Sequence, residues 1–197
     1  MDRPLRIGVF GGTFDPVHNV HLRLARAARE RAGLDRVLFV IAATPPHKCR
    51  DVVASAEDRL AMVRAAIAGE DGFEASRLEM DRSGPSYTVD TLRMLAEEYP
   101  GAQLFLIMGC DAALDLPRWR EPEGILALAR LIVAQRPECG RTLDPSLDGR
   151  HEMLPFETSG VSSTEVRDLL AHGGDTAGLL APSVLEYIRG KGIYACR

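Results

Sequence analysis

The chain has 197 residues, 46% of them hydrophobic and 26% charged, with a formal net charge of -4 at pH 7. That balance suits a single soluble globular domain with a sizeable buried core. The acidic excess argues against a general nucleic-acid binder, whose footprint is basic, although a local cluster of Lys, Arg and His can still hold a small anion.

In chain order, IGVF (7–10) is a short apolar run stopped by Gly11-Gly12 and predicts a buried strand. From Asn19 to Ala32 apolar positions recur at helical spacing, and Gly33 can close that helix. VLFVIA (37–42) predicts a second strand, and Pro45-Pro46 forces the following TPPHKCRDVVA into a loop. Ser55 with Asp58 reads as a capping box opening a helix to about Ala68. FEASRLEM holds a third strand, SYTVDTLRMLAEEY a helix, and LFLIM (104–108) a fourth strand that again ends in glycine, Gly109.

Pro122 suits the first turn of a helix, LIVA (131–134) is a fifth strand, and 136–150 reads as a surface loop. MLPFE predicts a sixth strand, VSSTEVRDLLAHGG a capped helix, and 182–189 a final helix. Strands apolar on both faces, alternating with amphipathic helices, predict an α/β fold. It is Rossmann-like and doubly wound, with a mostly parallel sheet and helices on both faces. The expectation is one domain over 1–197 with a C-terminal helical portion from about 160. In such sheets ligands bind at the carboxyl ends of the strands where the order reverses, which brings Gly11, Gly12 and Gly109 to one site.

The first apolar run ends too soon for a signal peptide, and no stretch approaches the ~20 apolar residues a bilayer requires. The expected location is the cytoplasm, with no membrane or nucleic-acid partner. Cys49, Cys110, Cys139 and Cys196 are scattered without a CxxC pair, which predicts reduced thiols.

GGTFDPVHNVH is a strand-to-helix junction whose backbone amides can approach an anion, helped by the helix dipole and by the Thr13 hydroxyl. It is neither a P-loop nor GxGxxG. His18 and His21, at i and i+3, share a helix face. A metal reading lacks a third ligand, so no metal-ligating residue is assigned and the pair is read as converging on phosphate. PPHK presents His47 and Lys48 at the same sheet edge, where Lys48 can close over phosphates. In VSSTEVR, Ser162 and Glu165 form a capping box, and the same helix start, with Ser163, Thr164 and Arg167, can hold phosphate. Trp119, between two prolines, is equally well read as a core residue or as a stacking surface.

GGTFDPVHNVH, PPHK, PSYTVDTL, GCDAALDLPRW and VSSTEVR, in this order over most of the chain, resemble the bacterial nicotinate-nucleotide adenylyltransferases. These belong to the nucleotidyltransferase superfamily with the (H/T)xGH signature. The resemblance implies that ATP and nicotinate mononucleotide give deamido-NAD and pyrophosphate, by in-line attack of the mononucleotide phosphate on the ATP α-phosphorus. Mg2+ would be carried on the ATP phosphates. It further implies a role for each matching residue. His18, His21, Lys48 and Arg167 would act on the transferring phosphates. Gly11, Gly12, Thr13, Phe14, Gly109, Asp111, Ser162 and Ser163 would bind ATP, with Asp111 on the ribose. Tyr87, Thr88, Trp119 and Arg136 would hold the mononucleotide.

Two positions depart from the family pattern: Val20 stands where the signature has glycine, and Cys110 where a smaller residue precedes the aspartate. Glycine there lets the helix start pack closely against the adenine side, an approach that valine crowds. Two alternative functions remain at this stage. One is another adenylyltransferase of the superfamily, taking phosphopantetheine or nicotinamide mononucleotide as acceptor. A phosphopantetheine enzyme should lack SYTVDTL and the loop tryptophan. The other is a non-catalytic nucleotide-binding protein, which need not keep both histidines, Lys48 and Arg167 together. The sequence leaves open whether the chain forms a homo-oligomer.

Overall fold

The computed structural model describes residues 3–43, 52–135, 143–156 and 160–195. Six strands form one sheet: β1 (Arg6–Gly12), β2 (Arg36–Ile41), β3 (Phe73–Ser76), β4 (Gln103–Gly109), β5 (Ala129–Gln135) and β6 (His151–Pro155). Their order is β3-β2-β1-β4-β5-β6 and every neighbouring pair is parallel. The order reverses between β1 and β4, so their glycine-bearing carboxyl ends lie side by side.

The helices are α1 (Asn19–Ala32), α2 (Ala56–Ile67), α3 (Thr88–Glu98), α4 (Cys110–Asp115), α5 (Pro122–Leu128), α6 (Ser163–Ala171) and α7 (Pro182–Lys191). Strand residues alternate between two buried clusters, as the period of two requires. Phe10, Phe39, Phe105 and Ile107 point to the face covered by α1, α2, α6 and α7. Val9, Leu38, Val40, Leu106 and Met108 point to the face covered by α3, α4 and α5. Gly33 ends α1 in the left-handed region, φ 55, and Ser55 caps α2 by accepting from the Asp58 main-chain N–H at 3.1 Å.

The doubly wound parallel sheet and the element order agree with the sequence reading. Two differences stand out. The stretch after Gly109 is helical at once as α4, which a six-residue segment was too short to signal by periodicity. Within 136–150, read as loop, Pro145–Leu147 forms a 3-10 turn that buries Leu147. The thiols need a correction: Cys110 is disulfide-bonded. The other three cysteines lie outside the described residues. Sequence spacing cannot show such a bridge, because the fold, not the chain order, decides which cysteines meet.

Candidate active site

The site starts where β1 runs out. Phe14 takes a left-handed conformation, φ 50, and folds its ring over Gly12; a Cβ added to Gly12 would meet that ring at 2.8 Å. Gly11 and Gly109, by contrast, face space in which an added Cβ meets nothing within 4 Å. The Phe14 ring packs edge-on against Phe10 at 5.5 Å and against the His21 ring at 5.2 Å, so one buried aromatic sets both the loop and the histidine.

His18 is the N-cap of α1, with its backbone extended. Its main-chain N–H donates to Nδ1 of His21 at 3.2 Å. With Nδ1 acting as acceptor, the proton of a neutral His21 imidazole sits on Nε2. The two histidine rings lie 3.8 Å apart and 31° from parallel. Both line a cavity of about 820 Å³ together with Ser162, Ser163, Thr164 and Arg167.

The far wall of that cavity is the start of α6. Ser162 and Glu165 make a reciprocal capping box: Glu165 N–H donates to Ser162 Oγ at 3.2 Å, and Ser162 N–H donates to Glu165 Oε2 at 2.7 Å. The Ser162 main-chain N–H, then its hydroxyl, hold the Glu165 carboxyl below the usual carboxylate range. Ser163 Oγ donates to the Pro16 carbonyl at 3.1 Å, and Arg167 Nη1 donates to the Asp15 carbonyl at 2.8 Å. The serine hydroxyls therefore serve the fold. What α6 offers an anion is its first-turn amides, its dipole and the Arg167 guanidinium.

Beneath this wall lies a polar centre on Asp15, only 2% exposed. Its carboxylate accepts from Val53 N–H at 2.7 Å, from Ala54 N–H at 3.1 Å and from the Tyr194 hydroxyl. Nearby, the buried Arg59 donates through Nη1 to the carbonyls of Thr13 at 2.7 Å and Ala42 at 2.8 Å, and through Nε to Ala54 at 3.3 Å. Burial pulls the Arg59 guanidinium down from its usual value, and the Asp15 charge opposes that shift. Arg59 thus ties the ends of β1 and β2 to the start of α2, satisfying the Thr13 and Ala42 carbonyls just past the two strands and the Ala54 carbonyl just before the helix.

A second cavity, of about 690 Å³, opens on the other face of the sheet and shares Phe10, Gly12, Thr13 and Gly109 with the first. Gly11, Tyr87, Thr88 and Trp119 line it. Tyr87 is the N-cap of α3 and makes no side-chain cap bond, so the first-turn amides of α3 lie at this cavity. Trp119 is half-buried, packed by one side against the core while lining the cavity. Arg118 and Arg120 stand at the same cavity, and the Arg120 guanidinium covers the Tyr87 ring at 4.7 Å. Glu79, buried, accepts from the Thr91 hydroxyl at 2.6 Å and so braces the first turn of α3.

The structure therefore divides the sequence-derived candidates between two cavities. Thr13, His18, His21, Phe14, Ser162, Ser163 and Arg167 line the first, and Gly12, Thr13 and Gly109 form the shared floor. Gly11 lines only the second. Asp111 is exposed in the first turn of α4 and lines neither. Lys48 and Arg136 lie outside the described residues. Val20 belongs to the buried core and lines the first cavity alongside Val161. The sequence reading missed Asp15, Arg59, Glu79 and Tyr194 as site-building residues. Arg59 carries a usable signal: it is a charge on the same helical stripe as Val63, Ala66 and Ile67.

The cytidylyltransferase-like family profile matches residues 9–169. A probable nicotinate-nucleotide adenylyltransferase of Gloeobacter violaceus is 44% identical over 198 residues, covering 96% of this chain and 96% of that protein. One of Thermus thermophilus is 44% identical over 192 residues, covering 96% of this chain and 100% of its own. This chain belongs to the nicotinate-nucleotide adenylyltransferases of the cytidylyltransferase-like family. The fold agrees: the Plasmodium falciparum nicotinic acid mononucleotide adenylyltransferase complexed with NaAD superposes with a TM-score of 0.79 at 19% identity. That superposition covers 96% of this chain and 97% of the other.

Within this adenylyltransferase family the match runs the length of the chain, well beyond the histidine motif. Among the described residues no helix is long and apolar enough to cross a membrane. No group of three or more His, Cys, Asp or Glu among them could hold a metal ion.

Proposed function

We propose that the chain joins ATP and nicotinate mononucleotide to give deamido-NAD and pyrophosphate, a step of NAD biosynthesis. The observation that carries this reading is the meeting of two unlike cavities over Gly12, Thr13 and Gly109. One is walled by histidines, helix amides and Arg167, as a triphosphate requires. The other is walled by an aromatic ring, a helix N-terminus and rim arginines, as a planar ring bearing a carboxylate requires.

In the reaction, the mononucleotide 5′-phosphate oxygen bonds to the α-phosphorus as the bond from that phosphorus to the α,β-bridging oxygen breaks, and pyrophosphate leaves. Little covalent work falls to the protein, so positioning and charge stabilisation carry the rate. His21 donates from Nε2 to a phosphate oxygen that gains charge, its tautomer held by the His18 main-chain N–H. His18 supports the same phosphate. Arg167 and the α6 amides hold the β- and γ-phosphates that depart, and Lys48 adds its positive charge to theirs. Mg2+ would come bound to ATP and would neutralise phosphate charge, with no residue of this chain assigned to hold it.

On the acceptor side, Trp119 stacks on the pyridine ring. The α3 amides at Tyr87 and Thr88 receive the ring carboxylate, with Arg118 and Arg120 raising the local positive potential. A neutral carboxamide draws less from the same donors. Arg136 and Asp111 remain proposed contacts to the mononucleotide and the adenosine ribose. The test is to mix the chain with MgATP and, separately, nicotinate mononucleotide, nicotinamide mononucleotide and phosphopantetheine, and to measure pyrophosphate release and product mass. The expected result is fastest turnover with nicotinate mononucleotide. No pyrophosphate with any acceptor, or faster turnover with phosphopantetheine, overturns the assignment.

A further inference from the structure

Asp15 is a buried carboxylate in a loop that must stay fixed, and the group that reaches it from farthest along the chain is Tyr194. The route is specific. Helix α7 docks on α2 through the Tyr187 hydroxyl on Asp58 Oδ1 at 2.9 Å and Ser183 Oγ on the Ala65 carbonyl at 2.8 Å. It ends at Gly192 in the left-handed region, φ 63, with Ile193 N–H returning to the Ile188 carbonyl at 3.1 Å. That reversal turns Tyr194, itself at φ 65 and 7% exposed, into the core, where its hydroxyl donates to Asp15 Oδ1 at 2.5 Å.

We propose that Tyr194 is a positioning residue for the nucleotide phosphates, clamping Asp15 so that the Asp15 carbonyl holds Arg167 in the phosphate-side cavity. This rests on reading that cavity as the ATP site. A carboxylate taken out of water costs several kcal/mol and keeps its charge only with a full set of donors. Asp15 has Val53 and Ala54 amides and the Tyr194 hydroxyl. Arg167 Nη1 sits 2.8 Å from the Asp15 carbonyl oxygen but 3.9 Å from Oδ2 of the same residue. The guanidinium is thus poised between carbonyl and carboxylate. With the hydroxyl gone, the under-served carboxylate draws the nearest mobile cation, and Arg167 leaves the cavity for it. Arg59 cannot substitute, being committed to the carbonyls of Thr13, Ala42 and Ala54. Burial, then the Asp15 bond and charge, raise the Tyr194 phenol above its usual value, so the donor keeps its proton.

The test is Tyr194→Phe, which removes one oxygen and keeps the ring. Binding of a non-hydrolysable ATP analogue is measured by calorimetry and KM is measured for both substrates. The expected result is ATP affinity and ATP KM weakened about tenfold, the scale of one hydrogen bond to a charged group, with the mononucleotide KM unchanged. Because the effect runs through Arg167, adding Tyr194→Phe to Arg167→Ala weakens the analogue no further. A merely structural tyrosine lowers the melting temperature and the active fraction but leaves the affinity of folded molecules alone. Unchanged ATP affinity in Tyr194→Phe, or full additivity with Arg167→Ala, overturns the proposal. If Tyr194→Phe does not fold, Tyr194→4-fluorophenylalanine carries the test, since it fills the space of the hydroxyl with no proton to donate and leaves the Asp15 charge in place: weakened analogue binding supports the clamp and unchanged binding overturns it. A wild-type chain that binds no analogue overturns the nucleotide-site reading and this inference with it; normal wild-type binding with an unaffected variant overturns this inference alone.

Discussion

On the α1 side of the sheet, the cavity wall is made of polar groups aimed by other polar groups, most of them far off in sequence: Arg167 by Asp15, Asp15 by Tyr194 and by the amides of Val53 and Ala54, and, within one helical turn, His21 by the His18 backbone. On the α3 side the wall is apolar core, with Trp119 on it and arginines at the rim, and its buried polar bond is the local one between Thr91 and Glu79. On the proposed function, the difference follows from what each side must do. Charge that develops on phosphate oxygens is best met by dipoles that need not reorganise, and holding such dipoles still takes many bonds. Choosing a flat ring takes shape and a few donors, which packing alone supplies.

The sharpest way to break this comparison is at His21. With its tautomer fixed by the His18 N–H, His21→Ala removes one pre-aimed donor and should lower kcat by on the order of 10²-fold, with a smaller change in mononucleotide KM. Stopped or steady-state pyrophosphate assays measure this directly. Near-normal turnover would remove His21 from the chemistry and leave the α1-side wall as a binding surface only.

A smaller and opposite signature belongs to Trp119. Trp119→Ala should raise the mononucleotide KM about tenfold, the scale of one lost ring stack, while the KM for ATP stays put. If kcat falls instead and KM does not move, the two cavities do not divide labour as their walls suggest.

How much of this was legible in the chain depends on how local each signal is. The strands and helices carry their own periodicity, and the reversal of strand order brings Gly12 and Gly109 together without knowledge of any side chain. His18, His21, Ser162 and Arg167 were visible because they sit in short motifs at helix starts. Asp15, Arg59 and Tyr194 were not, because the bonds that give them meaning cross the chain: Arg59 to the Thr13 carbonyl, 46 positions away, and Tyr194 to Asp15, 179 positions away. Asp15 stood in plain view within GGTFDP, but nothing local says that its partner is a tyrosine from the other end of the chain.

Val20 offers the finest test. From sequence, a valine at the signature glycine crowds the adenine side. In the structure it is 8% exposed and part of the core beneath the cavity lined by His18 and His21, so its methyl groups also fill space. Val20→Gly then has two separable effects. Lost burial and added chain freedom should cost about 2 kcal/mol, a fall in melting temperature of about 4–8 °C for a chain this long. The wider approach should leave ATP KM unchanged or slightly lower. A stability loss with ATP binding intact places the valine in the scaffold, whereas a clear loss of ATP affinity shows that the start of α1, and with it the His18–His21 pair, depends on the valine for its position.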